Sequence, residues 1–456
     1  LKYVSNNKIL PLIIGAASYF MALLSKETAI TFLVITPLIL YLFTKANRQE
    51  IMKIALVLGL ITAFCLFIRY EVTKDAPGIP DTLINNSLLA ATDFISRETT
   101  AIFILLQYIR LLIFPHPLSY DYSYNQVPNI NLSDPLGIAA ILIHFALFVY
   151  AILNLRKHTI ISFGILFYLI TIAPVSNIFL MIGSNKAERF LFIPSLGFCI
   201  VLTFLLMKIL KADTIKNKAR NLTQFFSDVP SFWMVILIII SLYSIKTFSR
   251  SKDWKDSLTL FSHDVEVADN SVRAHYNYGS SLLVDIYPKE KNKEEQNKLL
   301  DKIIVENSKA ISIVNNFEGA YFNLGVAYDD KDDYKTAMKY FETTLKLSKN
   351  PDAKLYDDLG KTYERTAQYS KALSCLDSAL KYDSGFFEAY NDKANVLAET
   401  GNYKAAIPLF LKTIELNPDY WIAYRNLGIT YQYIGDSINS KVYLEKANRV
   451  SGGQQR

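Results

Sequence analysis

AYFNLGVAYDDKDDYKTAMKYFETTLKL, residues Ala320–Leu347, sets small residues against large ones at fixed places: Gly325 and Ala337 among Tyr321, Leu324, Tyr328 and Phe341. Two helices interlock through such a pattern, because a small side chain lets a second helix approach closely and a bulky one fills the space beside it. The pattern returns at Tyr356, Leu359, Gly360, Tyr363, Ala372 and Leu376, one residue off the ideal period. It returns again through Tyr390, Ala394, Leu397, Ala406, Phe410 and Pro418, and once more through Tyr424, Leu427, Gly428, Tyr431 and Leu444. A degenerate first unit starts at AHYNYGSSLL (Ala274–Leu283) and is split by the charged insertion PKEKNKEEQNK (Pro288–Lys298).

The period is near 34 residues, the length of the tetratricopeptide unit. Neighbouring units of this kind complete each other's core, so residues 271–456 are expected to stack about five repeats, the first degenerate, into a superhelical solenoid with a concave binding face. Asn277, Asn323 and Asn426 fall at the sixth repeat position, with Asp358 and Asp392 there in the other two units. That position is expected to project toward the groove, where a ladder of amides would hydrogen-bond an extended acceptor peptide whatever its side chains. Asn is also common there in ordinary repeats.

Upstream of residue 251 the character of the chain changes. The 456-residue sequence is 51% hydrophobic and 20% charged, unusual for a single water-soluble globule. Residues 1–250 hold 21 Lys+Arg against 12 Asp+Glu, whereas 251–456 hold 27 against 30. The basic excess therefore sits in the apolar half, where cytoplasmic loops account for it and nucleic-acid binding does not. Cys65, Cys199 and Cys375 are far apart, which supports neither a disulfide framework nor a Cys-based metal site, and no metal is expected.

Apolar runs at about 9–24, 28–43, 51–69, 136–155, 159–182, 190–210 and 231–249 are expected to be membrane spans. An eighth run, Thr99–Leu118, is interrupted by Gln107 and Arg110 and ends in Pro115 and Pro117. Charge parity places it. The basic clusters Lys2/Lys8, Lys45/Arg48/Lys53, Arg156/Lys157 and Lys208/Lys211/Lys216/Lys218/Arg220 all face the cytoplasm only if 99–118 is re-entrant or interfacial. Residues 25–27, the loop 70–135, the cluster Lys186–Arg189 and everything after 249 then share the exoplasmic side. The expected fold is all-α: a polytopic transmembrane helix bundle over 1–250, a linker with a half-repeat helix over 251–270, and the tetratricopeptide-repeat solenoid over 271–456.

Two polar clusters lie on that exoplasmic side, LLSKETA (Leu23–Ala29) and SNKAERF (Ser184–Phe190). Ions at the mouth of a span are usually paired, so Lys26 with Glu27 and Arg189 with Glu188 would neutralise one another in the simplest reading. In the other, Lys26, Lys186 and Arg189 bind an anion such as a lipid phosphate, with Arg supplying a planar fork for its oxygens. A third cluster, FPHPLSYDYSYN (Phe114–Asn125), adds His116, Asp121 and several tyrosines, which at that depth also suit an interfacial aromatic belt.

LLSKETAITF, FPHPLSYDYS, SNKAERFLFIPSLGF and SRSKDWKDSLTLF, in that order and followed by the repeats, resemble the transmembrane and tetratricopeptide-repeat-containing family of protein O-mannosyltransferases, which have the GT-C membrane fold. The resemblance implies a multi-spanning enzyme that takes a sugar from a polyprenyl-phosphate donor and places it on Ser or Thr of proteins outside the cytoplasm. It implies no nucleotide-sugar pocket. It also implies catalytic acidic residues in a first exoplasmic loop, and this chain is expected to begin several helices later. Glycosyl transfer to a hydroxyl wants a carboxylate for the proton and cationic or hydrogen-bonding groups for the departing phosphate. Lys26, Lys186, Arg189 and His116 are the candidates for the phosphate; Glu27, Asp121 and Glu188 are those for the carboxylate. Glu188 is also expected to hold a neighbouring cation in place.

The competing reading is a membrane-anchored scaffold whose repeats recruit partner proteins without catalysis. A transporter would show paired, Gly/Pro-broken halves, and no such internal symmetry is present. A Lys-, Asn- and Ile-rich composition suggests a bacterial inner membrane, with undecaprenyl phosphate as carrier, ahead of the endoplasmic reticulum.

Overall fold

The structure, a computed structural model, describes residues 9–74, 83–212 and 229–454; Lys2, Lys8, Lys216, Lys218 and Arg220 lie outside the described residues. Among the described residues it is helical with no strand, and it divides into two compact units, Leu1–Arg273 and Ala274–Arg456.

In the first unit α1 (Ile9–Ser25), α2 (Phe32–Phe43) and α3 (Arg48–Thr73) share a core around Tyr19, Leu40, Ile54 and Leu58. The start of α3 is set by a reciprocal cap: Asn47 Oδ1 accepts the Glu50 N–H at 2.9 Å, and the Glu50 carboxylate accepts the Asn47 N–H at 2.8 Å. Helix α4 (Phe94–Ile113) is capped by Asp93, and its Gln107 and Arg110 are carried on an unbroken helix. Its Ile104, Leu105, Tyr108, Leu111 and Leu112 pack with Tyr168, Ile172 and Val175. Helix α5 (Pro135–Leu153) opens with Asp134 as cap and Pro135 in the first turn, where a missing N–H is harmless.

Helices α6 (Ile160–Ile172) and α7 (Pro194–Ile209) cross at a pair of glycines. A Cβ on Gly164 would stand 2.8 Å from Gly197 O, and one on Gly197 2.7 Å from Tyr168 N, so only glycine admits this approach. The crossing holds both ends of segment 173–193. Helices α8 (Pro230–Asp253) and α9 (Ser257–Val267) complete the unit.

Helices α3, α5 and α8 are, among the described residues, long and apolar enough to cross a membrane; α1, α6, α7 and Glu27–Phe43 are shorter apolar helices. The apolar run 159–182 does not stay helical to its end. Helix α6 stops at Ile172, Ala173–Val175 is a 3-10 turn, and Asn177 adopts a left-handed φ of 60°. Pro174 cannot donate, and the Asn177 carboxamide offers the backbone other bonds. The run 190–210 is shortened likewise, because Pro194 opens α7 and Glu188–Leu191 is a 3-10 turn.

In the second unit the residues after α10 (Val272–Ser281) form helix pairs. A split first repeat ends in α11 (Lys293–Ile313), followed by α12 (Glu318–Asp330) with α13 (Tyr334–Leu347), and α14 (Ala353–Arg365) with α15 (Tyr369–Tyr382). Then come α16 (Phe387–Glu399) with α17 (Tyr403–Leu416), and α18 (Trp421–Tyr433) with α19 (Ser437–Gln454). The predicted interlock is realised: a Cβ on Gly325 would meet the Phe341 ring at 2.6 Å, and one on Gly360 would meet Leu376 Cγ at 2.9 Å. The turn inside each pair places one residue at positive φ, at Gly401 (77°) and Gly435 (85°), but at Asp332 (62°) and Ala367 (56°) in the two pairs before them.

Candidate functional site

Segment 184–192, which precedes α7, meets segment 114–126, which follows α4, in a buried polar cluster. Glu188 Oε1 accepts the Ser119 N–H at 2.8 Å and the Tyr122 hydroxyl at 2.7 Å. Lys186, only 8% exposed, donates from Nζ to Gln107 Oε1 at 2.7 Å and lies 4.1 Å above the Tyr122 ring. The Ala187 N–H between them donates to the Tyr108 hydroxyl at 2.9 Å, which ties the segment to α4. One tyrosine thus touches both charges, the carboxylate by its hydroxyl and the ammonium by its face.

Burial dominates the proton affinities. It lowers Lys186 to about 8, with Glu188 opposing the shift and Arg110 adding to it. It raises Glu188, although Tyr122, Ser119, Arg250 and Lys186 all pull the other way. It raises Tyr122 as well, reinforced by the Glu188 charge, so the phenol stays a donor. A carboxylate of raised basicity beside an ammonium of lowered pKa is the pattern that active sites use.

Residues 250–272 continue this network. The carboxylate of Asp264 accepts the Tyr120 N–H at 2.8 Å and stands 3.4 Å from Arg250, which also reaches Asp253 at 3.1 Å. Asp121 Oδ2 accepts from Ser123 N at 3.2 Å and from Ser271 Oγ at 3.1 Å. The backbone pairs too, Asn125 N–H to Asn270 O and Val272 N–H to Tyr124 O, both at 2.8 Å. The stretch after α8 is therefore fastened along loop 120–126. A second belt of amides braces the other side: Asn86 donates to Asn177 Oδ1 at 3.0 Å, and Asn185 to Ser87 Oγ at 2.8 Å.

The remaining candidates lie elsewhere. Glu27 pairs with Arg69 at 2.6 Å, not with Lys26, and Lys26 is exposed. His116 is exposed, its Nδ1 3.3 Å from Lys246 Nζ. Arg189 is exposed and covers the Phe190 ring at 5.4 Å, so the cation expected beside Glu188 is replaced by two neutral donors from the loop after α4. In the repeats, Asn323 is 5% exposed and donates to Asn307 Oδ1 at 3.2 Å, and Asn426 donates to Asn395 Oδ1 at 2.9 Å. Each amide thus commits a donor to a neighbouring helix, and Asn277 is half-buried.

Gln107, Tyr108, Ser119, Tyr122, Arg250 and Asp264 were not among the sequence candidates. Gln107 left a trace as a polar interruption in an apolar run, and Arg250 stands inside the fourth motif.

Residues 84–148 match the family described as Protein O-mannosyl-transferase TMTC, DUF1736, and residues 318–351, 358–421 and 391–430 match tetratricopeptide repeats. The chain is a relative of the TMTC protein O-mannosyl-transferases. A Homo sapiens member, TMTC3, is 25% identical over 405 residues, covering 84% of this chain and 41% of that protein. A Caenorhabditis elegans protein O-mannosyl-transferase is 26% identical over 263 residues, covering 58% of this chain and 35% of its own length. The chain thus spans well under half the length of these curated relatives. Among solved structures, YrrB, described as a TPR protein with an unusual peptide-binding site, aligns over 42% of this chain and 91% of its own, with 24% identity and a TM-score of 0.33. The TMTC match takes in Gln107, Tyr108, Ser119 and Tyr122, the half of the cluster contributed by α4 and its loop. With three helices of spanning length and these relatives, the chain is a membrane protein with tetratricopeptide repeats.

Proposed function

We propose that the chain serves transfer of a sugar, mannose by analogy with its relatives, from a polyprenyl-phosphate donor to Ser or Thr of exoplasmic proteins, with the repeats holding the acceptor. The observation that supports this best is the pair of buried Lys186 and half-buried Glu188, each held by neutral partners. Lys186, with Arg189 exposed nearby in sequence, offers cationic donors to a phosphate leaving group. Lys26 and His116 are exposed cations or donors on the same proposed side. Both bonds to Glu188 fall on Oε1, which leaves Oε2 to accept the proton of an acceptor hydroxyl as a new glycosidic bond forms. Asp121 and Glu27 are the other carboxylates, and Glu27 is the weaker reading because Arg69 already holds it.

The repeats are proposed to lie on the exoplasmic side, since that arrangement leaves the basic loops 44–53, 156–158 and 208–220 facing the cytoplasm. Digestion of residues 260–456 by protease added to the cytoplasmic face of sealed vesicles would overturn it.

Donor retention tests the phosphate reading. The detergent-purified chain is incubated with radiolabelled polyprenyl-phosphate mannose, alone and with Ser/Thr peptides. Arg189→Ala and Lys186→Met are expected to weaken retention by one to two powers of ten, the worth of about 1.5–3 kcal/mol for a charged hydrogen bond. Glu188→Gln is expected to leave retention intact and to abolish any transfer. Wild-type retention in both cation variants would sink the assignment.

A further inference from the structure

The surface shared by α14, α16 and α18 carries more carboxylate than its cations neutralise. Lys361 Nζ stands 2.6 Å from Asp357 Oδ2 and 3.0 Å from Asp392 Oδ2, so one ammonium serves two carboxylates on neighbouring repeats. Arg365 is engaged by Asp329 at 3.0 Å, and Lys354 by Asp358 at 2.7 Å. Glu364 and Glu399 have no ion pair among the described residues. Burial first, then the charges of Glu399 and Asp392, push Glu364 up to about 8.

A second observation is independent of that charge. Asn391 is 2% exposed; its Nδ2 donates to Asp392 Oδ1 at 2.9 Å, while its own Oδ1 has no partner among the described residues. Asp357 Oδ1, on a fully buried residue, is in the same state. Both orphan atoms are acceptors, and buried acceptors without donors are costly. The chemistry missing from this surface is a hydrogen-bond donor, preferably a cationic one. Next to it lies a cavity of about 440 Å³ lined by Glu364, Asn395, Glu399, Asn426, Thr430 and Tyr433 among others, with room for a side chain. Arg425 also lines it, drawn over the Trp421 ring at 5.3 Å and 3.5 Å from Asn426 Oδ1, so the cavity holds two carboxylates against one guanidinium.

We propose that this surface binds an extended polypeptide segment through its Lys or Arg side chains, with the cation entering between Glu364 and Glu399 and backbone N–H groups facing the amide row of Asn391, Asn395 and Asn426. The inference rests on the reading that the repeats hold the acceptor, and it names the acceptor's chemistry: a Ser/Thr segment interspersed with basic residues. The amides alone would take any sequence; the carboxylates supply the preference.

The test is fluorescence anisotropy on the full chain in detergent, without sugar donor, using short labelled peptides that alternate Thr with Lys or Thr with Glu. The Lys peptide is expected to bind at least about tenfold tighter and to weaken as salt rises. The double variant Glu364→Gln/Glu399→Gln is expected to lose about tenfold for the Lys peptide, whereas Glu415→Gln, an exposed residue paired with Lys412, leaves it unchanged. Equal binding of the two peptides, or wild-type affinity in a double variant of normal helicity, overturns the proposal. If the double variant fails to fold, the wild-type comparison of the two peptides across salt decides alone. In a parallel assay supplied with polyprenyl-phosphate mannose, preferential Lys-peptide binding with no sugar transferred would support this inference and overturn the transfer reading; transfer to both peptides with equal binding of the two would do the reverse.

Discussion

Tyr122→Phe removes a single oxygen from the cluster and leaves the ring under Lys186, so it isolates the hydroxyl from the 4.1 Å cation–π contact. The hydroxyl donates to Glu188 Oε1 at 2.7 Å and accepts the Ser119 N–H at 3.2 Å. A hydrogen bond to an ionised group contributes about 1.5–3 kcal/mol, and here the carboxylate left behind is largely buried. We expect a loss of about 2 kcal/mol, which for a domain of this size lowers the unfolding midpoint by about 4–8 °C. Glu188 should gain proton affinity as well, because one of the groups holding it down is gone. Thermal unfolding in detergent, followed by tryptophan fluorescence, measures the first effect. The carbonyl stretch of protonated Glu188 in infrared difference spectra against Glu188→Gln measures the second. A double-mutant cycle then asks whether the hydroxyl acts through the carboxylate: Tyr122→Phe should cost little once Glu188 is Gln, with a coupling of about 1 kcal/mol or more. Additive effects, or a midpoint shift within 1 °C for Tyr122→Phe alone, would refute the reasoning.

Two further outcomes concern the repeats. Ala367 holds the positive φ that Gly401 and Gly435 hold in the next two turns, so Ala367→Gly should stabilise the repeat unit by about 0.5–1 kcal/mol, and an unchanged or lower midpoint by circular dichroism would contradict this. Asp357 is pushed up to about 7 and Glu364 to about 8, both above their unfolded values and chiefly by burial. The folded repeats therefore bind more protons than the unfolded chain. This contribution is fully present below the unfolded pKa near 4 and is lost as pH rises through 7 and 8. Helicity melts should move to lower temperature between pH 6 and 8.5, and Asp357→Asn with Glu364→Gln should flatten the slope; a midpoint that rises over that range would count against it.

The repeats were legible because their information is local. Gly325 and Phe341 lie within one unit, and the same pairing recurs at Gly360 with Leu376 and at Gly428 with Leu444, so period and packing speak together. In the membrane half, hydropathy located the apolar stretches and missed where helices stop. Residues 173–182 are as apolar as a span, yet Pro174 and the bonds of Asn177 to Ser184 O and from Ile182 N turn the chain aside. Neither bond is implied by composition. The motif segments 114–123 and 184–198 were legible as motifs of the family resemblance, and the structure brings them together; Asn86, Asn177 and Asn185, which brace them, carry no periodic signal.

The misread detail inside that site explains its design. Adjacency suggested Glu188 with Arg189, but neighbours in sequence do not face each other on a helical turn, and the partners of Glu188 come from 69 and 66 residues away. Lys186 and Glu188, only two residues apart, each take a neutral partner: Gln107 for the ammonium, Ser119 and Tyr122 for the carboxylate. Had they closed on one another, the pair would be self-neutralised and chemically idle. Dressing each charge with neutral groups leaves it desolvated, and the cost is visible in both proton affinities, Lys186 drawn down to about 8 and Glu188 raised. A fold that sought only stability would gain by collapsing the two. Under the proposed function, keeping them apart preserves a cation that would meet the phosphate and a carboxylate that would accept the hydroxyl proton, the arrangement such a transfer requires.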